Sequence, residues 1–188
     1  MRIFTRIACL AIVFSASMAE ATTSVVRRTT LLVSDVKSSV AFYEKIGFKV
    51  WLETGGARDP NKPTSFPLNG KPAQSGLTIM AGRDPWIGMI GLLQYDKPLL
   101  KRTRDATAAY GIGDAVLMLE TDDVDGVYKN LQALGTPILQ LPKEATTKSA
   151  EAIKHVKNMF FRDPDGWVIE MSQVVSTEPL PPKDKVAK

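Results

Sequence analysis

The sequence predicts an α+β fold built from two βαβββ modules. The main observation is an internal repeat, in which Asp35-Val36 and Gly47 return 88 residues later as Asp123-Val124 and Gly135. A repeat of this kind indicates one supersecondary unit used twice. The second observation is that each copy places a segment with helical apolar spacing between short strand-like runs.

The first module covers about residues 25–96. An apolar run ending at Val33 predicts the first strand, and Ser34-Asp35 is a helix-start signal because either side chain can accept from the free amides of the first turn. Apolar residues then recur at helical spacing as far as Gly47, where a left-handed residue ends the helix. Three more strands follow, which are Phe48–Leu52, Gly76–Met80 and Ile87–Tyr95.

The second module covers about residues 113–174 and repeats this order. Its predicted helix is Asp123–Leu134, and its predicted strands are Asp114–Glu120, Ile138–Leu141, Val156–Phe161 and Trp167–Ser172. The sequence Asp163-Pro164-Asp165-Gly166 predicts a turn between the last two strands, because proline restricts φ and glycine permits a positive φ.

These motifs resemble the vicinal oxygen chelate superfamily, which includes glyoxalase I, extradiol dioxygenases, fosfomycin-modifying enzymes and bleomycin-binding proteins. The resemblance rests on the segments Asp35–Phe48 and Phe161–Glu170 and covers roughly residues 25–174. It implies a curved, cup-shaped mixed sheet with the helices on its outer face, and a cup closed either within one chain or across a homodimer. The fold hosts several chemistries, so the resemblance alone does not name a function.

Residues 1–21 have the features of a signal peptide. Arg2 and Arg6 precede an apolar run, and Ala19-Glu20-Ala21 matches the small-x-small pattern of a cleavage site. The run is too short to span a bilayer, so no stable membrane anchor is expected. The lone cysteine, Cys9, lies in this segment, and the mature chain would contain none. We therefore expect a periplasmic or secreted protein without disulfides.

The composition agrees with a single small domain. The chain has 188 residues and a formal charge of +4, and its basic residues do not alternate with aromatic ones as a nucleic-acid surface would need. The Pro- and Lys-rich end, residues 175–188, is predicted to be a disordered tail. Residues 55–76 are predicted to form a long loop that serves as a lid or dimer contact, or is disordered.

The metal positions that the resemblance implies do not carry a set of metal ligands. They fall at Arg28, Gly91, Val116 and Glu170, and only Glu170 offers a ligand atom to a cation. The chain has one histidine, His155, outside these positions, whereas zinc, nickel or iron sites use imidazoles or thiolates. The sequence therefore predicts no metal and no other cofactor.

Strand alternation predicts which side chains face the cup. The face that includes Arg28 and Glu170 is mostly apolar with a few polar groups, as in many small-molecule sites. Trp86, in the turn before the fourth strand, is expected at the rim, where it either stacks on a ligand or packs on the surface. The predicted substrate-binding residues are Thr30, Trp86, Tyr95, Asp114, Met118 and Glu120.

Arg28 and Glu170 are the predicted catalytic residues. Both occupy positions that face one metal ion in the family, so they should approach each other within one chain or across a dimer. The guanidinium would then replace the charge of the ion and bind a substrate oxygen, or the pair would be a purely structural salt bridge. We expect either a metal-independent lyase or isomerase or a protein that sequesters a small hydrophobic compound.

Overall fold

The fold is described from a computed structural model for residues 23–59, 61–62, 73–96, 100–102 and 111–180. This part of the chain forms two helices and two curved four-stranded mixed sheets, which confirms the predicted α+β class. None of the helices in these residues is long and apolar enough to cross a membrane.

The first module forms one sheet and one helix. Its elements are β1 (Arg28–Leu32), α1 (Val36–Lys45), β2 (Lys49–Ala57), β3 (Gln74–Ala81) and β4 (Met89–Tyr95). The strand order is β1-β4-β3-β2, with β1 parallel to β4 and the other pairs antiparallel.

The second module has the same topology. Its elements are β5 (Val116–Glu120), α2 (Val124–Ala133), β6 (Ile138–Lys148), β7 (Ala152–Arg162) and β8 (Val168–Pro179). The strand order is β5-β8-β7-β6, again with one parallel pair between the first and last strands of the module.

Several strands extend beyond the predicted boundaries. The expected loop 55–76 is shorter at both ends, because Gly55 to Ala57 pair with Gln74 to Gly76 in the ladder of β2 and β3. Residues 60 and 63–72 of that loop lie outside the described residues. The expected tail also begins later than residue 175, because β8 pairs with β7 as far as Pro179. Ladder hydrogen bonds hold this extension although its side chains are exposed, so apolar alternation did not reveal it. Residues 181–188 lie outside the description.

Both helices begin as predicted. Asp35 Oδ1 accepts from the amide of Ser38 at 3.0 Å, and Asp123 Oδ1 accepts from the amide of Gly126 at 2.8 Å. Gly47 and Gly135 have φ values of 104° and 66°, which suits glycine at each helix end.

A second cap on each helix comes from the last strand of its own module. The side-chain oxygen of Gln94 accepts from the amide of Val36 at 2.9 Å, and that of Gln173 accepts from the amide of Val124 at 3.1 Å. Both glutamines therefore satisfy a free amide of a first helical turn. The sequence interpretation missed them, although they are a further repeated pair.

The helix-facing sides of both sheets share one hydrophobic core. The predicted alternation is confirmed, since the residues that point away from the cup face pack against the helices. The core includes members of both modules, among them Leu31, Phe42, Tyr43, Ile90, Leu92, Val124, Leu131, Phe161, Ile169 and Met171.

The modules join on the helix side. In the described residues no strand of one sheet comes within 8 Å of a strand of the other between Cα atoms, whereas α1 and α2 approach within this distance. The side-chain amide of Asn130 in α2 donates to the carbonyl of Lys45 in α1 at 3.0 Å. The hydroxyl of Tyr43 in α1 donates to Asp163 Oδ2, in the turn after β7, at 3.1 Å.

The turns before β4 and β8 make corresponding contacts with the opposite module. Asp165 Oδ2 accepts from the amide of Ser34, just before α1, at 3.1 Å. Arg83 pairs with Asp122, just before α2, at 2.8 Å. Each module therefore places the turn before its last strand at the start of the other module's helix.

Burial changes the acid–base properties of the Tyr43–Asp163 pair. Desolvation raises the pKa of Asp163 to about 6, although the hydrogen bonds from Trp167, Tyr43 and Asp165 oppose this shift. Desolvation and the neighbouring Asp163 charge also raise the pKa of Tyr43 well above its usual range. The hydroxyl therefore stays protonated and serves as a hydrogen-bond donor.

We predict that Asp163→Asn removes a pH-dependent part of the stability. The raised pKa means that the folded chain holds a proton on Asp163 that the unfolded chain releases, so its contribution is full below about pH 4 and is lost as pH rises through about 6. The loss should approach about 3 kcal/mol. Urea unfolding from pH 4 to 7 should show this difference between wild type and variant.

The matched control is Asp84→Asn, which removes one charge from the exposed corresponding turn of the first module. Its unfolding profile should run parallel to that of the wild type. A wild-type profile parallel to that of Asp163→Asn would contradict the prediction.

Candidate functional site

Arg28 lies across the cup face of the first sheet because Gly91 leaves room for it. Thr30 is the direct neighbour of Gly91 in the pairing of β1 with β4. A Cβ added at Gly91 would lie 2.9 Å from Thr30 Oγ1, 3.2 Å from Arg28 Cδ and 3.4 Å from Arg28 Nε. The glycine therefore provides space for an arginine side chain on this face.

Glu170 lies on the cup face of the second sheet with two neighbours from β7. Phe160 pairs directly with Glu170, and Asn158 pairs with Ser172, so the four side chains share one face. The side-chain amide of Asn158 donates to Glu170 Oε1 at 3.1 Å. This hydrogen bond orients a half-buried carboxylate beside an aromatic ring.

Arg28 and Glu170 do not meet within one chain. They lie on separate sheets whose strands do not contact one another, and the described residues contain no ion pair between them. The arginine is exposed and the glutamate is half-buried. Contact between them across two copies of the chain stays a prediction.

The other predicted substrate-binding residues differ widely in exposure. Met118 on β5 is 69% exposed, and Glu120 on the same strand is also exposed. Tyr95 at the end of β4 is only 3% exposed, so little of it is accessible to a ligand. Asp114 precedes β5, and its Oδ2 accepts from the amide of Gly111 at 2.7 Å.

Trp86 lies in the turn before β4 and contacts a second tryptophan. Its ring centroid is 5.9 Å from that of Trp51 at an interplanar angle of 67°, and the guanidinium carbon of Arg27 lies 5.2 Å from the Trp86 centroid. The sequence interpretation missed Trp51 and Arg27 because neither shares a local motif with Trp86.

Asn158 and Phe160 were also missed, although a signal for them was present. β7 and β8 form a hairpin across a short turn, and counting outward from that turn places Asn158 and Phe160 on the face of Glu170. The role of Gly91 had no sequence signal, because it depends on the path of the neighbouring Arg28 side chain.

The residues at the family's metal positions do not fit a metal. Arg28 is a cation, Gly91 has no side chain, Val116 is apolar, and only Glu170 has a ligand atom. In the part of the chain that the structure describes, no three His, Cys, Asp or Glu residues cluster to hold an ion. His155 lies elsewhere, with its ring nitrogens 3.2 Å from Thr146 Oγ1 and from Glu178 Oε1.

Solved structures share this fold at low sequence identity. A glyoxalase family protein from Bacillus cereus matches with a TM-score of 0.60 and 15% identity, over 85% of this chain and 100% of that chain. Glyoxalase I from Leishmania major matches with a TM-score of 0.50 and 17% identity, over 79% of this chain and 86% of that chain. The antibiotic-binding protein TnmS3 from Streptomyces sp. CB03234 has a TM-score of 0.49 and 21% identity, over 82% and 99% of the chains. Identities this low show the fold alone.

No curated protein matches the sequence. The family model described as the glyoxalase/bleomycin resistance protein/dioxygenase superfamily matches residues 25–171, which include both modules. The chain belongs to this superfamily.

Proposed function

We propose that this protein is an exported enzyme that acts on a small molecule by metal-independent lyase or isomerase chemistry. The observation that carries the proposal is Arg28, which lies in the space left by Gly91 at a position where the family holds a metal. A guanidinium is permanently charged and presents several donors to an oxyanion or carbonyl oxygen. It can therefore supply the positive charge that a metal supplies in relatives.

Glu170 is the proposed base. Its carboxylate is oriented by Asn158 through Oε1, and Oε2 accepts no hydrogen bond from the described residues. A carboxylate of this kind can take a proton from a carbon next to a carbonyl group whose oxygen is bound to Arg28. In an α-hydroxy carbonyl compound, returning the proton to the former carbonyl carbon, with a proton shift between the two oxygens, moves the carbonyl group and gives an isomerase. In a compound with a leaving group on the β-carbon, departure of that group with its bonding electron pair gives a carbon–carbon double bond and a lyase.

A second copy of the chain would bring the two residues together. In the described residues no strand of one sheet comes within 8 Å of a strand of the other between Cα atoms, and the cup faces expose apolar side chains such as Leu32, Val116 and Met118. A homodimer that covers these residues would bury apolar surface and close the cup between Arg28 of one copy and Glu170 of the other.

Sequestration of a hydrophobic compound is the alternative function. It is favoured by the accessible apolar side chains on both cup faces, such as Leu32, Met118 and Phe160. A protein that only binds would use Arg28 and Glu170 to orient its ligand and would need no second proton transfer.

We predict that Glu170→Gln and Arg28→Met separate the two functions. Glu170→Gln keeps the shape and a hydrogen bond but removes the base, so an enzyme should lose turnover while ligand binding survives. In a binding protein, both variants should change the affinity and no conversion of the ligand should occur. Product analysis measures turnover, and calorimetric titration measures the affinity. Full turnover by Glu170→Gln would exclude Glu170 as the base.

We also predict that Gly91→Ala reduces ligand binding as Arg28→Met does. The new methyl group would displace Thr30 Oγ1 or the Arg28 side chain, whereas the control Gly76→Ala would bring a Cβ only to 3.7 Å from Val36 Cγ1. A crystal structure of Gly91→Ala should show Arg28 moved from the sheet face. Unchanged Arg28 density and unchanged affinity would contradict the proposed role of Gly91.

The export part of the proposal has its own prediction. Expression of the full chain in a bacterium with a periplasm should give cleavage after Ala21, or after Ala19, and a product without cysteine. N-terminal sequencing and intact-mass measurement of the periplasmic fraction test this. Met1 at the start of the exported chain would contradict it.

A further inference from the structure

The aromatic cluster at the end of the first sheet consists of Trp51, Trp86 and Arg27, and we call it the tryptophan ledge. Trp51 is 43% exposed and Trp86 is 57% exposed, although their rings are in edge contact. Arg27 places its charge over the Trp86 ring. Exposed indoles in such an arrangement leave ring faces accessible to a further partner.

Local structure holds both indoles in place. Asp84 Oδ1 accepts from the amides of Trp86 and Ile87 at 2.7 and 3.1 Å, which fixes the turn that carries Trp86. Trp51 lies at a β-bulge, where the pairing of β2 with β3 skips from Val50 to Leu52. Bulges redirect side chains and are common beside functional sites.

The second module provides an internal comparison for this ledge. Asp163 Oδ1 accepts from the amides of Asp165 and Trp167, so the turn after β7 repeats the capped turn of Asp84. The pairing of β6 with β7 also skips one residue, Leu139, which corresponds to Trp51.

The side chains at these equivalent positions differ. The second module has Leu139 in place of Trp51, Asp165 in place of Trp86 and Ala115 in place of Arg27. It keeps the bulge and the capped turn without these three residues. The fold of the unit therefore does not require the tryptophan ledge.

The chemistry of the ledge selects a flat, conjugated ligand with a negative charge. Indole faces bind planar aromatic groups by stacking or edge contacts, and guanidinium groups bind carboxylates, sulfonates and phosphates. Arg27 immediately precedes Arg28, so the backbone at the ledge continues directly into β1, the strand that carries Arg28. An anionic group could pair with Arg27 while its ring system contacts the indoles.

We propose that the substrate class of this protein is planar aromatic or conjugated anions, which the tryptophan ledge binds. This inference rests on the proposed small-molecule function, because it identifies the kind of molecule that Arg28 receives.

Isothermal titration calorimetry with 1-naphthalenesulfonate tests the ledge. Trp51→Leu and Trp86→Leu should each weaken binding about tenfold. Arg27→Ala should weaken binding of the sulfonate but not of the neutral 1-naphthalenemethanol, and cyclohexanesulfonate should bind wild type poorly. The matched control is Leu139→Ala, at the corresponding bulge of the second module, which should bind as wild type does.

The outcomes distinguish this inference from the proposed function. If Arg28→Met loses binding while both tryptophan variants keep it, the ledge is excluded and the role of Arg28 stands. If the tryptophan variants lose binding while Arg28→Met keeps it, the ledge stands and the role of Arg28 is excluded. Absence of wild-type binding at millimolar 1-naphthalenesulfonate overturns the inference. The inference is also overturned if replacement of the tryptophans changes dimerisation and leaves binding unchanged.

Discussion

The hydrogen bond between Tyr43 and Asp163 links the two modules at a buried point, and the arrangement of both cup faces depends on that joint. The sheets share no strand contacts in the described residues, so the helix-side core and the turn after β7 determine their relative position. A buried carboxylate is costly, but here it satisfies two backbone amides and a tyrosine hydroxyl. Because the modules join through their helix sides, the opposite faces of both sheets are left to form the site.

Comparison of the two modules distinguishes the features that the fold requires from the residues that it does not require. Both modules keep the aspartate at the helix start, the glutamine from the last strand, the bulge in the second strand and the Asp-Pro turn. The aspartates, the glutamines and the turns satisfy backbone groups, so each copy needs them for the same physical reason. The residues that differ, such as Arg28 against Val116 and Gly91 against Glu170, lie on the cup faces. Sequence differences confined to the cup faces are expected if the two modules contribute different residues to one site.

The repeat, the helix starts and the direction of each strand residue could be predicted from the sequence, because they depend on local spacing. The extent of β6 and β8 could not, since exposed strand extensions such as Val174–Pro179 are held by backbone pairing without apolar alternation. Strand alternation predicted the sheet face on which Arg28 and Glu170 each lie, but it could not predict the distance between the two residues. Alternation assigns a side chain to one side of its own sheet and carries no information about how two sheets are placed.

The two half-sites carry opposite charge and are built in opposite ways. On the first sheet a cation lies over a glycine and beside a threonine. On the second sheet a carboxylate is held by Asn158 and flanked by Phe160. Acting separately, one face would favour anions and the other hydrogen-bond donors or cations. Acting together across two copies, they would place a positive and a negative group on either side of one apolar ligand. Under that arrangement the position that relatives give to one metal ion becomes a charge pair shared between chains.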